Sequence, residues 1–301
     1  EEAFMNPANS EEFTIGYYLS KDLGTFDLDF GFRLDQIERS GSVSEEEHED
    51  DHGDDHGDEH GDVDYYNIDD TTSSFAITLG RDLSDNLGIS LGYASVERLP
   101  SSIELFMNGP HMATGRFEVG DPNLNSETSN NFDITFNFDN GDFYALASFY
   151  ITDVDNYIAL IDEEDDHMDE DEHHEDEDEH HEGEDEHDDH VHGNLIHANY
   201  MQEDAEFDGY EIEFGRSFDL GSGELALSFG RDVVNAEFAD GHYVPRINPA
   251  RNIYSLVYTQ DDLLFKLMLK DVEKQNDIGE GETVTDACLL YTSDAADEFS
   301  C

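Results

Sequence analysis

Basic residues are scarce in this sequence, in which 13 lysines and arginines stand against 77 aspartates and glutamates, for a formal net charge of −64. Such a chain lacks the positive surface that binding to nucleic acid requires. We therefore expect no nucleic-acid partner and favour cationic ones. Long apolar runs are missing as well. None approaches the roughly 18 residues of a membrane-spanning helix, which excludes such a helix within this sequence.

Cysteine occurs only as Cys288 and Cys301, at the end of the chain. The stretch CLLYTSDAADE, residues 288–298, resembles a translated sequencing adapter, and we expect residues 287–301 to be an artefact rather than a genuine polar tail. Without these two residues the chain offers no disulfide, thiol catalyst or cysteine-based zinc site. The first residues, EEAFMNPANS, resemble the end of a loop, so we expect an internal fragment of a longer protein.

Catalytic motifs are also missing. The sequence has no HExxH motif and no glycine-rich phosphate loop. Its acidic pairs are too numerous to single out a catalytic one. No Ser, His and Asp spacing fits the strand pattern described next. We therefore expect that the chain is not an enzyme.

Alternation with a period of two is the main regular pattern. Residues 25–35 read TFDLDFGFRLD, in which every second residue is Phe or Leu and the others are polar or Gly. This is typical of a strand with one apolar and one polar face, and no segment shows a convincing helical period. The pattern recurs in about ten strand candidates. They lie near residues 12–20, 25–38, 73–82, 87–97, 128–138, 143–160, 207–218, 224–236, 252–260 and 263–275.

Connections between these strands alternate strictly between short and long. The short ones read KDLG, SDN, DNGD, GSG and QDD, whereas the long ones cover about 39–72, 98–127, 161–206 and 237–251. In an up-and-down sheet every other connection lies at the same end, as in outer-membrane barrels with short periplasmic turns. The sequence thus predicts an all-β fold, a partial transmembrane antiparallel β-barrel. The alternative is a soluble β-sandwich, whose strands also alternate but are usually shorter.

Two of the long loops are crowded with histidine and acid. Residues 48–62 read HEDDHGDDHGDEHGD, and residues 162–192 have a similar composition. Glycine in the first and like-charge repulsion in both oppose a helix, so we expect about 45–62 and 162–192, here called the two His-rich segments, to be disordered without a partner. Twelve of the 15 histidines lie in them: His48, His52, His56, His60, His167, His173, His174, His180, His181, His187, His190 and His192.

This composition favours metal capture. Neutral imidazole together with carboxylate suits zinc first and then nickel or copper, whereas calcium has no use for so many imidazoles. The twelve histidines are therefore candidate ligands in a flexible array of weak, exchanging sites. Binding is expected to weaken as pH falls, because protonated imidazole cannot ligate. The alternative is a solvated acidic tract in which histidine accumulates by low-complexity drift.

The loop between the fourth and fifth strand candidates has a mixed composition. Its end, FEVGDPNLNSETSNNFDI at residues 117–134, resembles a recurrent segment of TonB-dependent outer-membrane receptors, in which a Gly-Asp-Pro-x-Leu-x-x-Glu turn leads into a strand. Ser126 departs from many relatives, which have Pro there. The preceding stretch, ERLPSSIELFMNGPHMATGRF, resembles the zinc-uptake branch of that family, whose members also have His/Asp-rich external loops.

The resemblance implies a receptor in the outer membrane of a Gram-negative bacterium, surrounded by outer-membrane lipid. It implies a barrel of about 22 strands, closed by an N-terminal plug domain. The transported ligand would be Zn²⁺, and uptake would be driven by the TonB complex through a short TonB box. We expect plug and box to be absent from this sequence, and residues 1–286 to form one fragment of the barrel.

Within the mixed loop, His111 in NGPHMATG is the leading candidate zinc ligand. Glu104 and Glu118 are candidate supporting ligands, because four-coordinate zinc needs partners. The alternative for His111 is a loop histidine bonded to a backbone carbonyl. His242, in DGHYVPR, is a further supporting candidate, and His197 is a weaker one.

For two other charged residues of this loop, Glu127 and Arg98, we expect structural roles. Glu127 is expected to be a turn residue that accepts backbone hydrogen bonds before the strand. Arg98 is expected to pair with Glu97, in an ion pair that contributes little if exposed.

Three functions remain open from the sequence. The first is a receptor that captures zinc in its external loops and passes it through a plugged barrel. The second is a TonB-dependent receptor for another cargo, such as a metal chelate, with the acidic loops serving solvation or salt tolerance. The third is an adhesin or a passive porin-like barrel. Tight and selective binding of free zinc separates the first from the second, and an upstream plug would exclude the third.

Overall fold

The computed structural model describes residues 5–44, 63–163, 195–284 and 286–297. In chain order, the elements within these ranges are β1 Asn9–Asp22, β2 Asp27–Ser44, β3 Val63–Ser84, β4 Leu87–Arg98, α1 Ser102–Phe106, β5 Asn108–His111, β6 Arg116–Val119, β7 Glu127–Asp139, β8 Phe143–Asp162, β9 Ile196–Asp219, β10 Glu224–Phe238, β11 Arg251–Gln260, β12 Leu263–Val272 and β13 Cys288–Asp297. About three quarters of the described chain is strand and α1 is its one short helix, which confirms the predicted all-β class.

Strands that follow one another in the chain also lie side by side. The sheet runs β1-β2-β3-β4-β7-β8-β9-β10-β11-β12-β13, and each adjacent pair is antiparallel. Tight connections such as residues 23–26 and 220–223 all lie at one end, which we call the turn end. The long connections lie at the other, which we call the loop end. The result is the predicted open, partial β-barrel, with β1 and β13 at its edges.

All ten predicted strands are present, and several are longer than the alternation indicates. β3 begins at Val63 instead of about residue 73, and β9 begins at Ile196 instead of about residue 207. The added residues mix polar and apolar side chains without a strict alternation, because this part of each strand lies beyond the apolar band and no longer has lipid on one side. The ladders therefore continue to Ser44 opposite Val63 and to Asp162 opposite Ala198.

One face of the sheet is continuously apolar, and the other is polar. Cross-strand pairs such as Phe30 with Ile77 lie on the apolar face, whose exposed side chains include Ile15, Phe32, Leu79, Leu91, Phe132, Phe149, Phe214, Leu227 and Phe265. On the polar face, Asp35 accepts hydrogen bonds of 2.6 Å from Thr14 and from Arg33. A lipid-facing exterior and a wet interior account for this division.

Tight side-chain packing is found at the loop end, around α1. Leu105 and Phe106 are fully buried, and Met107 is 1% exposed. The ring of Phe106 stacks on Tyr66 with centroids 6.3 Å apart. It also lies against Gly41 of β2, where only a residue without a side chain leaves room for it. The mixed loop is therefore docked onto β2 and β3 by burial of apolar side chains.

Strand β13 lies within the segment that the sequence interpretation assigns to an adapter. It pairs with β12 from Val272 opposite Cys288 to Leu263 opposite Asp297. A sheet edge presents unpaired backbone groups to any extended segment. The pairing with β12 therefore does not test whether residues 287–301 are an artefact. Both that origin and the domain boundary at residue 286 stay predictions.

The contact between Gly41 and Phe106 gives a direct test of this docking. A Cβ atom at Gly41 would lie 2.4 Å from Cδ2 of Phe106. We expect Gly41→Ala to destabilise the docked loop by about 1–3 kcal/mol, the usual range for overpacking, and to speed trypsin cleavage after Arg98 and Arg116 in detergent. The matched control is Gly31→Ala in the same strand, where a Cβ meets nothing within 4 Å. Equal cleavage rates in the two variants would contradict the docking.

Candidate functional site

A small hairpin between β4 and β7 carries His111. Its strands β5 and β6 pair with each other over Asn108–His111 and Arg116–Val119. β6 also pairs in parallel with the first residues of β9, where Phe117 lies opposite His197. The hairpin is thereby fixed to the strand that follows the second His-rich segment.

His111 contacts a buried carboxylate across the hairpin. Its Nδ1 lies 2.9 Å from Oε1 of Glu118, and Thr114 Oγ1 donates a 2.9 Å hydrogen bond to the same oxygen. The side chain of Glu118 is 3% exposed, whereas that of His111 is 43% exposed. A buried carboxylate is costly unless it accepts hydrogen bonds. Glu118 is therefore held in place inside the hairpin, while the imidazole ring reaches the surface.

This geometry favours different chemical roles for the two side chains. A metal-binding histidine commonly donates its other ring N–H to a carboxylate, which fixes the tautomer and the ring orientation. With the proton of Nδ1 directed at Glu118, Nε2 is the nitrogen of His111 suited to a metal. Glu118 would then orient the ligand instead of binding the ion itself.

Arg98 holds two carboxylates of the mixed loop. It donates to Glu104 at 2.9 and 3.1 Å and to Glu127 at 3.0 and 3.1 Å. The predicted pair with Glu97 is wrong: Glu97 instead accepts a 3.0 Å hydrogen bond from the backbone N–H of Ser73. Glu97 and Arg98 are consecutive in β4 and therefore point to opposite faces.

Glu127 has the structural role that the sequence indicated. Besides binding Arg98, it accepts a 3.0 Å hydrogen bond from the backbone N–H of Ile158 in β8. Glu127 is the first residue of β7 and links the mixed loop to the neighbouring strand β8.

Glu104 is occupied by structural contacts rather than directed at His111. It forms a capping box with Ser101, whose N–H donates to it at 2.6 Å while Ser101 Oγ accepts from the Glu104 N–H at 3.3 Å. Burial alone would raise the pKa of Glu104, but hydrogen bonds from Arg98 and Ser101 outweigh it and lower that pKa. Burial likewise opposes the charge of Arg98, but its two carboxylates raise the pKa of the guanidinium.

A second ion-pair cluster fastens the hairpin to the barrel. Asp162, the last residue of β8, is 5% exposed and accepts hydrogen bonds of 2.7 and 2.6 Å from Arg116. Arg246, between β10 and β11, lies 3.4 Å from the same carboxylate and donates to the carbonyl of Leu160 at 2.6 Å. Sequence analysis missed this cluster, because one acid at the edge of an acidic tract carries no distinguishing signal.

The ends of both His-rich segments lie beside this hairpin. Asn108 donates a 2.8 Å hydrogen bond to the carbonyl of Ser44, the last described residue before the first segment. At the second segment, the N–H of Glu163 donates to the carbonyl of His197 at 2.9 Å, and Asn199 donates to the Glu163 side chain. One hairpin thus joins the attachment points of the two segments that carry twelve histidines.

A known protein family matches most of this chain, including the mixed loop. A family model described as TonB dependent receptor-like, beta-barrel, matches residues 6–272. The chain belongs to this family. TonB-dependent receptors are transport proteins of the Gram-negative outer membrane, which confirms the predicted family and location and the expectation that the chain is not an enzyme.

Solved structures of TonB-dependent transporters share the fold. The copper transporter OprC has a TM-score of 0.70 at 17% identity, covering 97% of this chain and 40% of that chain. The ferric-catecholate import receptor Fiu from E. coli K12 has a TM-score of 0.60 at 14% identity, covering 96% and 38%. The ferric yersiniabactin uptake receptor FyuA from Yersinia pestis has a TM-score of 0.56 at 14% identity, covering 96% and 38%. The chain spans about two fifths of the length of these receptors.

Membership of the TonB-dependent receptors orients the site. Such barrels have short periplasmic turns and long external loops, so the turn end faces the periplasm and the loop end faces outward. The hairpin with His111 and the described residues that flank both His-rich segments therefore lie on the external side. Among the helices of the described residues, none is long and apolar enough to cross a membrane.

The remaining candidate ligands are not gathered around His111. All twelve histidines of the His-rich segments lie outside the described residues. His242 Nδ1 lies 2.6 Å from Asp240, whose hydrogen bond raises the pKa of His242 and keeps the ring protonated, and unable to ligate, to higher pH. His197 stacks on Phe117 with ring centroids 5.2 Å apart. Across the described ranges, no three His, Cys, Asp or Glu side chains converge to hold a metal ion.

Acid should loosen α1 through Glu104. Because its folded-state pKa lies below the unfolded value, its contribution to stability is full above the unfolded pKa of about 4.3 and is lost as pH falls through the folded value. We expect faster amide exchange at Leu105 and Met107, whose N–H groups close the helix, below about pH 4.3. Hydrogen exchange corrected for its intrinsic pH dependence measures this. Glu104→Gln should abolish the added acid sensitivity, and an unchanged profile in that variant would count against the mechanism.

Proposed function

We propose that the chain is part of an outer-membrane receptor that takes up zinc or a similar divalent transition metal. The His-rich segments collect the ion, and His111 ligates it through Nε2. Uptake by the complete receptor is driven by the TonB complex, acting through a plug domain and a TonB box. Membership of the TonB-dependent receptors supports this energised mechanism.

The observation that carries the proposal is the hydrogen bond between His111 and the buried Glu118. It is the arrangement in which a carboxylate fixes the tautomer of a metal-binding imidazole. A loop histidine with a purely structural role gains little from a carboxylate that is itself buried at a desolvation cost. Neutral imidazole with carboxylate also suits zinc better than calcium or magnesium.

The position of the hairpin adds a second line of support. Its residues bind the attachment points of both His-rich segments, through Asn108 to Ser44 and through β6 to the start of β9. Ligands tethered close to a site raise the local concentration of the ion there without any new contact. The formal charge of −64 attracts cations over a longer range.

The names of the structural relatives favour two alternatives. OprC is named as a copper transporter, and copper also accepts imidazole ligands, so copper is the second candidate among free ions. Fiu and FyuA are named for ferric chelates. A receptor for such a chelate is the alternative function, in which the acidic segments serve solvation or salt tolerance.

Calorimetry on the complete receptor in detergent tests the proposal. We expect deletion of 45–62 or of 164–192 to remove many weak zinc sites, and His111→Ala to remove one tight site, because the buried Glu118 fixes the imidazole of His111. Met112→Ala, at the exposed neighbouring residue, should leave the tight site intact. If calcium competes equally and His111→Ala changes nothing, the segments are generic polyanions and the alternative function stands.

Glu118 should act through His111 and not as a ligand. Loss of such an orienting partner typically weakens a metal site about 10–100-fold, and we expect Glu118→Gln to do so. The zinc X-ray absorption spectrum should keep the same number of oxygen and nitrogen ligands in this variant. Loss of one oxygen ligand would show instead that Glu118 binds the ion directly.

A further inference from the structure

Arg81 and Arg216 differ from the other arginines in their interaction partners. The chain has nine arginines and 77 acidic residues. Seven are ion-paired: Arg33, Arg39, Arg98, Arg116, Arg231, Arg246 and Arg251. Arg81 and Arg216 form no ion pair with any residue that the structure describes, although acids outnumber bases so heavily.

Both of these arginines lie on the lipid-facing side at the turn end. Arg81 follows Leu79 by two residues in β3, and Arg216 follows Phe214 by two residues in β9, so each shares the apolar face of its strand. Their cross-strand neighbours, Ile89 and Leu227, are also apolar. Each arginine is exposed and lies a few residues before a tight turn.

The two arginines also share a local contact. The guanidinium carbon of Arg81 lies 5.3 Å from the ring centroid of Phe26, and that of Arg216 lies 5.1 Å from the ring of Phe218. These distances are typical of cation–π pairs. Aromatic side chains at this level form the girdle that marks the boundary between hydrocarbon and head groups. The rings thus hold both guanidinium groups at that boundary.

A basic side chain at the centre of the lipid face destabilises a barrel strongly, whereas near the interface with the head groups most of that cost disappears. Arg81 and Arg216 lie near the interface, where the barrel can accommodate a basic side chain. This position does not by itself explain why neither arginine pairs with a described carboxylate. The adjoining turns are acidic, with Asp85 and Asp219 nearby. Those turns would repel anionic head groups if no base offset them.

We propose that Arg81 and Arg216 bind the phosphate groups of phospholipids in the inner leaflet of the outer membrane. The turn end faces the periplasm, so the head groups at this level are those of the inner leaflet. A guanidinium presents N–H groups in a planar fork that matches phosphate oxygens. For these two arginines the lipid phosphate is the anionic partner, whereas the other seven arginines pair with carboxylates of the protein.

Native mass spectrometry of the complete receptor in a neutral detergent tests this proposal, with dioleoyl phosphatidylglycerol as the probe. We expect two phosphatidylglycerol sites, of which Arg81→Gln weakens one and Arg216→Gln the other. The expected effect is about fivefold for each site, since a basic residue at an anionic surface contributes roughly 1 kcal/mol. Dioleoylglycerol, which has the same chains without phosphate, should bind equally to all variants.

The matched control removes the same charge from the opposite face. Lys266 and Lys270 alternate with the apolar residues of β12 and so face the barrel interior, and Lys266→Gln with Lys270→Gln should leave lipid binding unchanged. An equal loss in this control would reveal a general charge effect and overturn the proposal. Displacement of the lipid by equimolar inorganic phosphate would also overturn it, in favour of a free-anion site. Heat-modifiable electrophoretic mobility confirms that each variant is a folded barrel.

Discussion

Backbone hydrogen bonding is the constraint on which the rest of this structure depends. In hydrocarbon every N–H and C=O group must find a partner within the protein, which leaves a closed ladder of strands as the only β solution. The pairing of β1 with β2 runs without interruption from the tight turn, at Asp22 opposite Asp27, to Asn9 opposite Ser40 towards the loop end. Because the ladders continue past the apolar band, they also determine where the external loops begin and which residues meet above the membrane.

The membrane part of the barrel follows from the sequence, and the part above it does not. In β2, the alternation of Leu28, Phe30 and Phe32 with polar residues or Gly reflects lipid on one side and water on the other. In the outer part of β3, from Val63 to Asp70, there is no lipid on either face and no alternation is needed, and Tyr66 packs on Phe106 of the mixed loop instead. The strands β5 and β6 have four residues each. Pairing with β9 stabilises them, and no local pattern predicts such a contact.

The same distinction applies to the site. His111 and Glu118 could be singled out because they lie in a family-like motif, but only the hairpin shows that a buried carboxylate faces the imidazole. Arg98 was assigned to its neighbour Glu97, although the alternation of a strand opposes any pairing of consecutive residues. Asp162 could not be singled out, because the acidic tract beside it hides one structural acid among many. Long-range partners of charged residues are set by the register of the sheet.

The ladder ends at the loop end have one further consequence. Strand pairing of Ser44 opposite Val63 and of Asp162 opposite Ala198 closes the two loops within the barrel, and doubling the length of a closed loop costs only about 0.6 kcal/mol. Repeat units such as DHGD can therefore be gained or lost by replication slippage with little effect on the barrel. The number of histidines in the two segments can then change while the strand pairing that defines the fold stays the same.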